Sequence, residues 1–274
     1  MTNRTCQKRF STRTFISHSL ALFYILIDFI APLVNSLSYG MTESHVDTYL
    51  GSGYLARSDV EFQKLASMGL TIIIADGDTG CHDLGLPPMS QPKCGPAFQP
   101  DWPSQSPYVT SIGSTYLTPY AEPICYANKS IGGTDCSTFP LGEVAVGVDP
   151  MGMRWTTGGG FSNTASRPSY QDAVVKSYLS RSSILPPSNM FNTTGRAYPD
   201  ASTVGHNLLV ALDGEFVPID GTSASAPIFA GIITLLNDHR LNRNKAPLGF
   251  LNQMLYSAAA LMPSSFYGTS NDQY

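Results

Sequence analysis

Between residues 33 and 75 the apolar positions change period twice, and each change marks an element. "LVNSLSYG" reads as a strand that ends in a turn. From Tyr54 to Met68 the spacing is helical, with Leu55, Phe62, Leu65 and Ala66 facing inward and Gly69 as the stop. "LTIIIA" (Leu70 to Ala75) is a continuous β-branched run, the pattern of a parallel strand buried on both faces. "YVTSIG" (Tyr108 to Gly113) is a further short strand, and Ser169 caps a helix that runs to about Leu179. "NLLVAL" and "EFVPI" flank Asp213-Gly214, which predicts a hairpin. Pro227 opens a helix-length run holding Ile228, Phe229, Ala230, Ile232, Ile233, Leu235 and Leu236, apolar on most sides and so expected to be buried. "PLGFLNQMLYSA" gives one last helix, and loops fill Leu86 to Pro107 and about Tyr120 to Gly160. Strands that alternate with helices predict an α/β fold with a mainly parallel sheet.

At 274 residues the chain can bury one sizeable core, or at most two small ones. Charged residues are 13 %, about half of the roughly 25 % usual in soluble domains. The net charge is −4, with no basic patch beyond the first 13 residues, which argues against a nucleic-acid partner. Five cysteines show no C-x-x-C, so no zinc spacing exists. Cys81 with Cys94, and Cys125 with Cys136, could each close a short loop, leaving Cys6 odd. Sequons at Asn3, Asn128 and Asn192, with those cysteine pairs and the low charge, favour the secretory route and a lysosomal or extracellular location.

Residues 1–33 read as an atypical segment ahead of the domain at 34–274. Arg4, Lys8, Arg9 and Arg13 precede an apolar stretch, Leu20 to Val34, that resembles a signal peptide or anchor. Asp28 and Pro32 interrupt it, no clean cleavage site follows, and its 15 residues fall short of the about 20 that span a membrane. A misassigned start fits the first two dozen residues as well. After Ile25 a buried helix running into a core strand is preferred.

Two stretches could carry chemistry. "GTSASAP" places Ser223 at the start of an apolar helix, where free N–H groups and the positive dipole end stabilise an oxyanion. Gly221 would make the tight turn, and Pro227 an early helical position. Read alone, the stretch also fits an ordinary helix cap. In "IIIADGDTGCHD", Asp76 and Asp78 follow a parallel strand, the place where α/β proteins hold ligands. An EF-hand fails there, with Gly80 and Pro87 at ligand positions. "TTGGGFS" lacks phosphate-loop spacing; Gly158, Gly159 and Gly160 suit a backbone against which a peptide can lie. "GRAYPDAS" reads as a polar turn before the hairpin.

Taken in order, these pieces resemble the sedolisin family (S53) of serine-carboxyl peptidases, and within it the tripeptidyl-peptidase branch. The resembling segments are "SLSYG", "LASMGLTIIIADGDTG", "SPYVTSIGSTYL", "GGGFSNTASRPSYQ", "PPSNMFNTTGRAYPDAS", "GTSASAPIFAGIITLLNDHR" and "APLGFLNQMLY", collinear over most of Ser36 to Tyr256. The resemblance implies a subtilisin-like three-layer α/β fold, incomplete here, and peptide hydrolysis at acid pH. It places the nucleophile on Ser223 and an oxyanion-hole carboxyl on Asp78, which must be protonated to donate and which burial would help to protonate. It places peptide substrate along Ser38, Tyr39 and Gly40 and along Gly158 to Gly160. Ser225 is expected only to pack.

The resemblance breaks at both ends. The family's base, a Glu oriented by an Asp one helical turn away, lies upstream of the "SYG" strand. From Met1 to Ser36 there is no Glu, and the only Asp is Asp28. Glu43 and Asp47 have the i, i+4 spacing but lie after the strand, and read as surface charges. The family's calcium site should open near Gly268, and the chain stops at Tyr274 before its remaining ligands. Asp220 and Asp76 each replace a usual Ser. The expectation is a chain truncated at both ends and nearly inactive, since losing one triad member leaves only about 10³–10⁴-fold catalysis over water. The alternative is a non-catalytic relative that binds peptides in the same cleft.

Overall fold

The computed structural model describes residues 31–81, 97–117, 143–147, 155–180 and 185–262, with Phe266. Strand β1 (Val34–Leu37) and the short β2 (Met41–Thr42) lead into helices α1 (Glu43–Leu50) and α2 (Tyr54–Ser67). Gly69, with φ 80°, ends the turn after α2 as its position predicts. Strand β3 (Thr71–Ala75) then pairs in parallel with β1, Val34 opposite Thr71, so the two helices form a crossover.

Strand β4 (Asp101–Trp102) pairs with β2, and β5 (Thr110–Leu117) lies parallel to β3. The short β6 (Glu143–Ala145) runs antiparallel along the far end of β5. Strand β7 (Gly160–Ser166), a 3₁₀ turn (Ser169–Gln171) and helix α3 (Asp172–Leu179) follow. Strand β8 (Gly195–Tyr198) pairs antiparallel with β7, and β9 (Ala201–Val204) joins β5 in parallel. The hairpin β10 (Leu208–Leu212) and β11 (Glu215–Ile219) turns on Asp213 and Gly214, both at positive φ. Helices α4 (Thr222–Leu241) and α5 (Asn252–Leu261) complete the described elements.

The result is a mainly parallel α/β sheet, as the alternation of strand and helix patterns requires. Ile112 pairs with both β3 and β9, so β5 lies between them. Ile73 and Ile112 pack against Ala226, Ala230 and Ile233 of α4 and against Leu251. Ile72 and Ile74, one residue to either side of Ile73, turn to the opposite face and are buried there too. Small residues on α4 at 226 and 230 let the helix lie close over the sheet, which brings its first turn to the ends of β1 and β3.

Several elements differ from the sequence reading: β4 and β6 lie inside the two stretches read as loops, helix α1 was not expected, and three further differences have a clear cause. The "GRAYPDAS" stretch is not a turn but β8 and β9, and its Arg196 side chain is fully buried. Polar residues hide a strand from periodicity when a partner inside the fold satisfies them. Ser169 opens a 3₁₀ turn after Pro168 and makes no side-chain cap. The third concerns α4, which is buried through most of its first turn and beyond it along Ala230, Ile233 and Asn237. Ile228, Ile232, Leu235 and Leu236 lie on a face that no described residue covers, with Leu235 71 % exposed. Apolar residues all round a helix set a demand for cover but do not say which segment meets it. No described helix is long and apolar enough to cross a membrane, and most of Leu20 to Val34 lies outside the described residues.

Candidate active site

The three hydroxyls at the start of α4 have three different surroundings. Gly221, at φ 131°, turns the chain into the helix, and a Cβ there would sit 3.1 Å from Asp78 Oδ2. Thr222 is buried; its N–H and its Oγ1 both donate to Asp78 Oδ1, at 2.8 and 2.9 Å. Gly77 N–H in turn donates to Thr222 Oγ1 at 3.2 Å. Ser225 is buried and donates to Ser114 Oγ on β5 at 3.1 Å, the packing role expected of it. Ser223 alone faces solvent, and its Oγ makes no hydrogen bond to a described residue. Ser38 Oγ, just beyond β1, donates to the Ser223 carbonyl at 3.2 Å. Ser223, Asp78 and Ser38 therefore meet at one point, above the carboxyl ends of β1 and β3.

The two aspartates of the β3 turn differ in burial from the sequence reading, which expected burial of Asp78. Asp78 is exposed, whereas Asp76 is fully buried. Asp76 continues the inward alternation of β3; Gly77, at φ 103°, then reverses the chain and returns Asp78 to the surface. Burial pushes the Asp76 carboxyl well above the usual range, against the opposing bonds from Gly158 N–H (3.1 Å) and Thr157 Oγ1 (3.3 Å). The negative charges of Asp101 and Asp78 push it the same way as burial.

Gly158 packs on this turn more tightly than a peptide-lining role requires. A Cβ there would lie 1.9 Å from the Asp76 carbonyl oxygen, and Gly158 N–H also donates to Gly77 O at 2.8 Å. Gly159 and Gly160 continue at φ 156° and 149° and border an apolar cavity. Across the site, Gly40 lies against β4, where a Cβ would meet the Trp102 carbonyl at 2.4 Å; Tyr39 beside it is half-buried.

Glu43 is not a surface charge. It is the first residue of α1, 3 % exposed, and both carboxyl oxygens are engaged with β7. Oε1 accepts from Ser162 Oγ and from Thr164 Oγ1 (3.1 Å); Oε2 accepts from Asn163 N–H (2.9 Å). Burial raises its pKa while those bonds oppose the shift. Asp47 is exposed as read. The i, i+4 spacing showed that the two share a helix face but not that the first residue alone would be tucked under β7. The sequon Asn192 also has a structural role, its Nδ2 donating to Ser162 O at 2.9 Å. Cys81 is described, but Cys6, Cys94, Cys125 and Cys136 lie outside the described residues.

Buried carboxyls with raised pKa values tie stability to acid pH. Asp59 is pushed up to about 6 by burial, against the bond from Ser106 and the charge of Arg196. Asp76, Glu43 and Asp59 thus hold a proton more tightly folded than unfolded, so stability falls as pH rises from about 4 through the folded pKa values. Asp172 shifts the other way, but it is solvent-exposed and acts only below its unfolded pKa. Urea titrations should give a higher midpoint at pH 4 than at pH 6.5, and Asp76→Asn should shrink that difference. A midpoint that rises with pH would contradict this.

Among the described residues no three His, Cys, Asp or Glu side chains gather as a metal site. Gly268 to Tyr274, where the resemblance places calcium, lie outside the described residues.

No family model matches the chain. It is 41 % identical over 254 residues to physarolisin of Physarum polycephalum, covering 86 % of this chain and 42 % of that protein. It is 37 % identical over 226 residues to tripeptidyl-peptidase 1 of Homo sapiens, covering 82 % of this chain and 34 % of that protein. The chain thus spans less than half the length of these curated relatives. Among solved structures it is similar to Pseudomonas sedolisin, a serine-carboxyl proteinase complexed with two molecules of pseudo-iodotyrostatin. That match has a TM-score of 0.64 at 26 % identity and covers 93 % of this chain and 59 % of the other.

Proposed function

Because the chain belongs to the sedolisin family (S53) of serine-carboxyl peptidases, we propose that it acts on peptides or proteins by acyl transfer to Ser223. The observation that carries this reading is the pair of bonds from Thr222 to Asp78 Oδ1, which fixes a carboxyl beside an exposed serine at a helix start. Those bonds leave Asp78 Oδ2 as the carboxyl oxygen that Thr222 does not engage. Ser223 Oγ attacks the scissile carbonyl. The developing oxyanion is met by the Asp78 carboxyl group and by the positive end of α4. The hydroxyl proton must leave to a base, and no described residue bonds to Ser223 Oγ. Without such a base, peptide hydrolysis would be slow, about 10³–10⁴-fold over water. Cleavage as a tripeptidyl-peptidase and as an endopeptidase both fit this chemistry. Low charge and the sequons support a protein of the secretory route, lysosomal or extracellular. A family-type calcium ion would require ligands beyond the described residues.

A peptide p-nitrophenyl ester tests the reading, because its leaving group needs little help from a base. At pH 4 it should yield an acyl adduct that mass spectrometry places on Ser223. An adduct elsewhere, or none, would overturn the assignment of the nucleophile. The second reading, a peptide-binding protein without catalysis, is favoured by the lack of a described partner for Ser223 Oγ. It predicts binding of the ester without any adduct.

A further inference from the structure

Among the described strands, β10 and β11 pair only with each other, and apolar side chains occupy both faces of their hairpin. Leu208, Val210 and Leu212 share one face with Val217 and Ile219; Leu209 and Ala211 share the other with Phe216 and Pro218. Leu209 is 60 % exposed, Leu212 58 % and Phe216 77 %. A two-stranded ribbon is marginally stable in water unless a further strand or a packed surface supports it. Here the root is tied. Asp220 Oδ1 accepts from Asn207 N–H at 2.7 Å and lies 2.8 Å from His206 Nδ1, immediately before Gly221 and Ser223.

The two edges of the ribbon are not equivalent. Pairs along an antiparallel ladder alternate between those that exchange backbone bonds and those that turn their N–H and C=O outward. Pro218 has no N–H, so its pair with Leu209 is of the outward kind, and so is the next but one, Ala211 with Phe216. Proline at 218 thus removes a donor from the outer edge of β11. Leu209 and Ala211 keep both groups on the outer edge of β10, and no described residue outside the hairpin bonds to them. Nothing from Leu208 to Leu212 is charged, whereas an open edge is usually guarded by a charge, a proline or a bulge.

We propose that the outer edge of β10 pairs with the same edge of a second copy of this chain, giving a four-stranded antiparallel sheet with its two-fold axis at Val210. Pairing must bring outward groups together, and this register does so with full overlap of both strands. Leu209 exchanges bonds with Ala211 of the second copy, Val210 meets its own counterpart, and Leu208 lies opposite Leu212. The apolar faces of the two ribbons then become continuous. Charge fits the same register. Each turn, with Asp213, falls opposite Asn207 and beside His206 of the other copy, so the carboxylates of the two turns stay apart. A peptide strand would meet the edge without this symmetry. Pro218 on both outer edges ends the assembly at four strands, so the product is a closed dimer. Strands of five residues make an interface below the about 1,200 Å² of stable complexes, and the dissociation constant should be micromolar.

Sedimentation velocity of the full chain from about 1 to 200 µM should show monomer passing to dimer. Ala211→Pro deletes an outward N–H and leaves the bonds to β11 in place, so that variant should stay monomeric with an unchanged melting midpoint. Val210→Cys should cross-link to itself on mild oxidation, because directly opposed residues of a non-hydrogen-bonded pair stand close enough to bridge. Leu208→Cys, whose counterpart lies opposite Leu212, should not, and peptide mapping identifies the linked residues. A monomer at every concentration would overturn the proposal. So would a dimer that Ala211→Pro leaves unaffected, or a cross-link through Leu208→Cys instead of Val210→Cys. If the chain stays monomeric while a fluorescein-labelled alanine–valine octapeptide binds, and Ala211→Pro abolishes that binding, the edge takes a peptide strand and not a second copy. None of these readouts involves the Ser223 adduct, so the catalytic reading stands or falls separately.

Discussion

Asp200→Ala is expected to lower unfolding stability by about 3–5 kcal/mol, the usual cost of stranding a buried charge. Asp200 Oδ2 lies 2.5 Å from an Arg196 guanidinium nitrogen, and neither side chain reaches solvent. The same carboxylate accepts from Ser111 N–H at 2.8 Å, Asn252 Nδ2 at 3.2 Å, Tyr256 OH at 3.0 Å and Gln171 Nε2 at 3.3 Å. One side chain thus ties β5, the 3₁₀ turn and α5 to the start of β9. Its loss leaves a guanidinium whose remaining partners are the carbonyls of Ser106, Ala197 and Val109, together with several donors emptied at once. Urea unfolding at pH 5 measures the effect. Removing the charge as well, in Arg196→Met with Asp200→Ala, should recover part of the loss, because an apolar pair leaves no uncompensated ion. A single-variant change below about 1 kcal/mol would show that the pair contributes no more than a surface ion pair does.

The parts of this fold that the sequence discloses are those whose burial depends on apolar side chains. Ile72 to Ile74 declare β3, Leu55, Phe62 and Leu65 declare α2, and Asp213-Gly214 declares the hairpin. The parts it conceals are built on polar residues satisfied at a distance. Arg196 and Asp200 read as turn residues because nothing local shows that β5 and α5 will enclose them. Glu43 reads as a surface charge because Ser162, Asn163 and Thr164, which hold it, come some 120 residues later. The candidate site divides in the same way. Ser223 is legible from its small neighbours and the apolar run behind it. Which of Asp76 and Asp78 faces solvent depends on Gly77 at φ 103°, and no spacing rule gives the direction of that turn. "TTGGGFS" offered a peptide-lining ribbon, yet Gly158 is needed for its contact with the Asp76 carbonyl. The one signal that a sequence reading could have weighed more heavily is the pairing of "GGGFS" with a glutamate at a helix start, since a buried carboxylate needs clustered hydroxyl and N–H donors.

Ser223→Ala should abolish formation of the acyl adduct, and Asp78→Ala should slow it by about 10²–10³-fold, the usual effect of deleting one oxyanion donor. The two losses differ in kind. Alanine at 223 removes the only atom that can hold the acyl group, so no concentration of ester restores the adduct. Alanine at 78 leaves the nucleophile but strips Thr222 of both its bonds, to Oδ1 from N–H and from Oγ1. The start of α4 then loses the carboxyl that held it against the β3 turn, and the oxyanion keeps only the helix dipole. Asp78→Asn separates these effects. Its amide carbonyl can still accept from Thr222 and its NH₂ can donate to an oxyanion without needing a proton. Adduct formation by the Asn variant should therefore persist as pH rises from 4 to 7. A stopped-flow burst of p-nitrophenol across that range measures both profiles. If the wild-type and Asn variants lose rate in parallel, the proton that matters is not on Asp78. The buried Asp76 carboxyl, bonded to Gly158 N–H within the same turn, becomes the group to replace next.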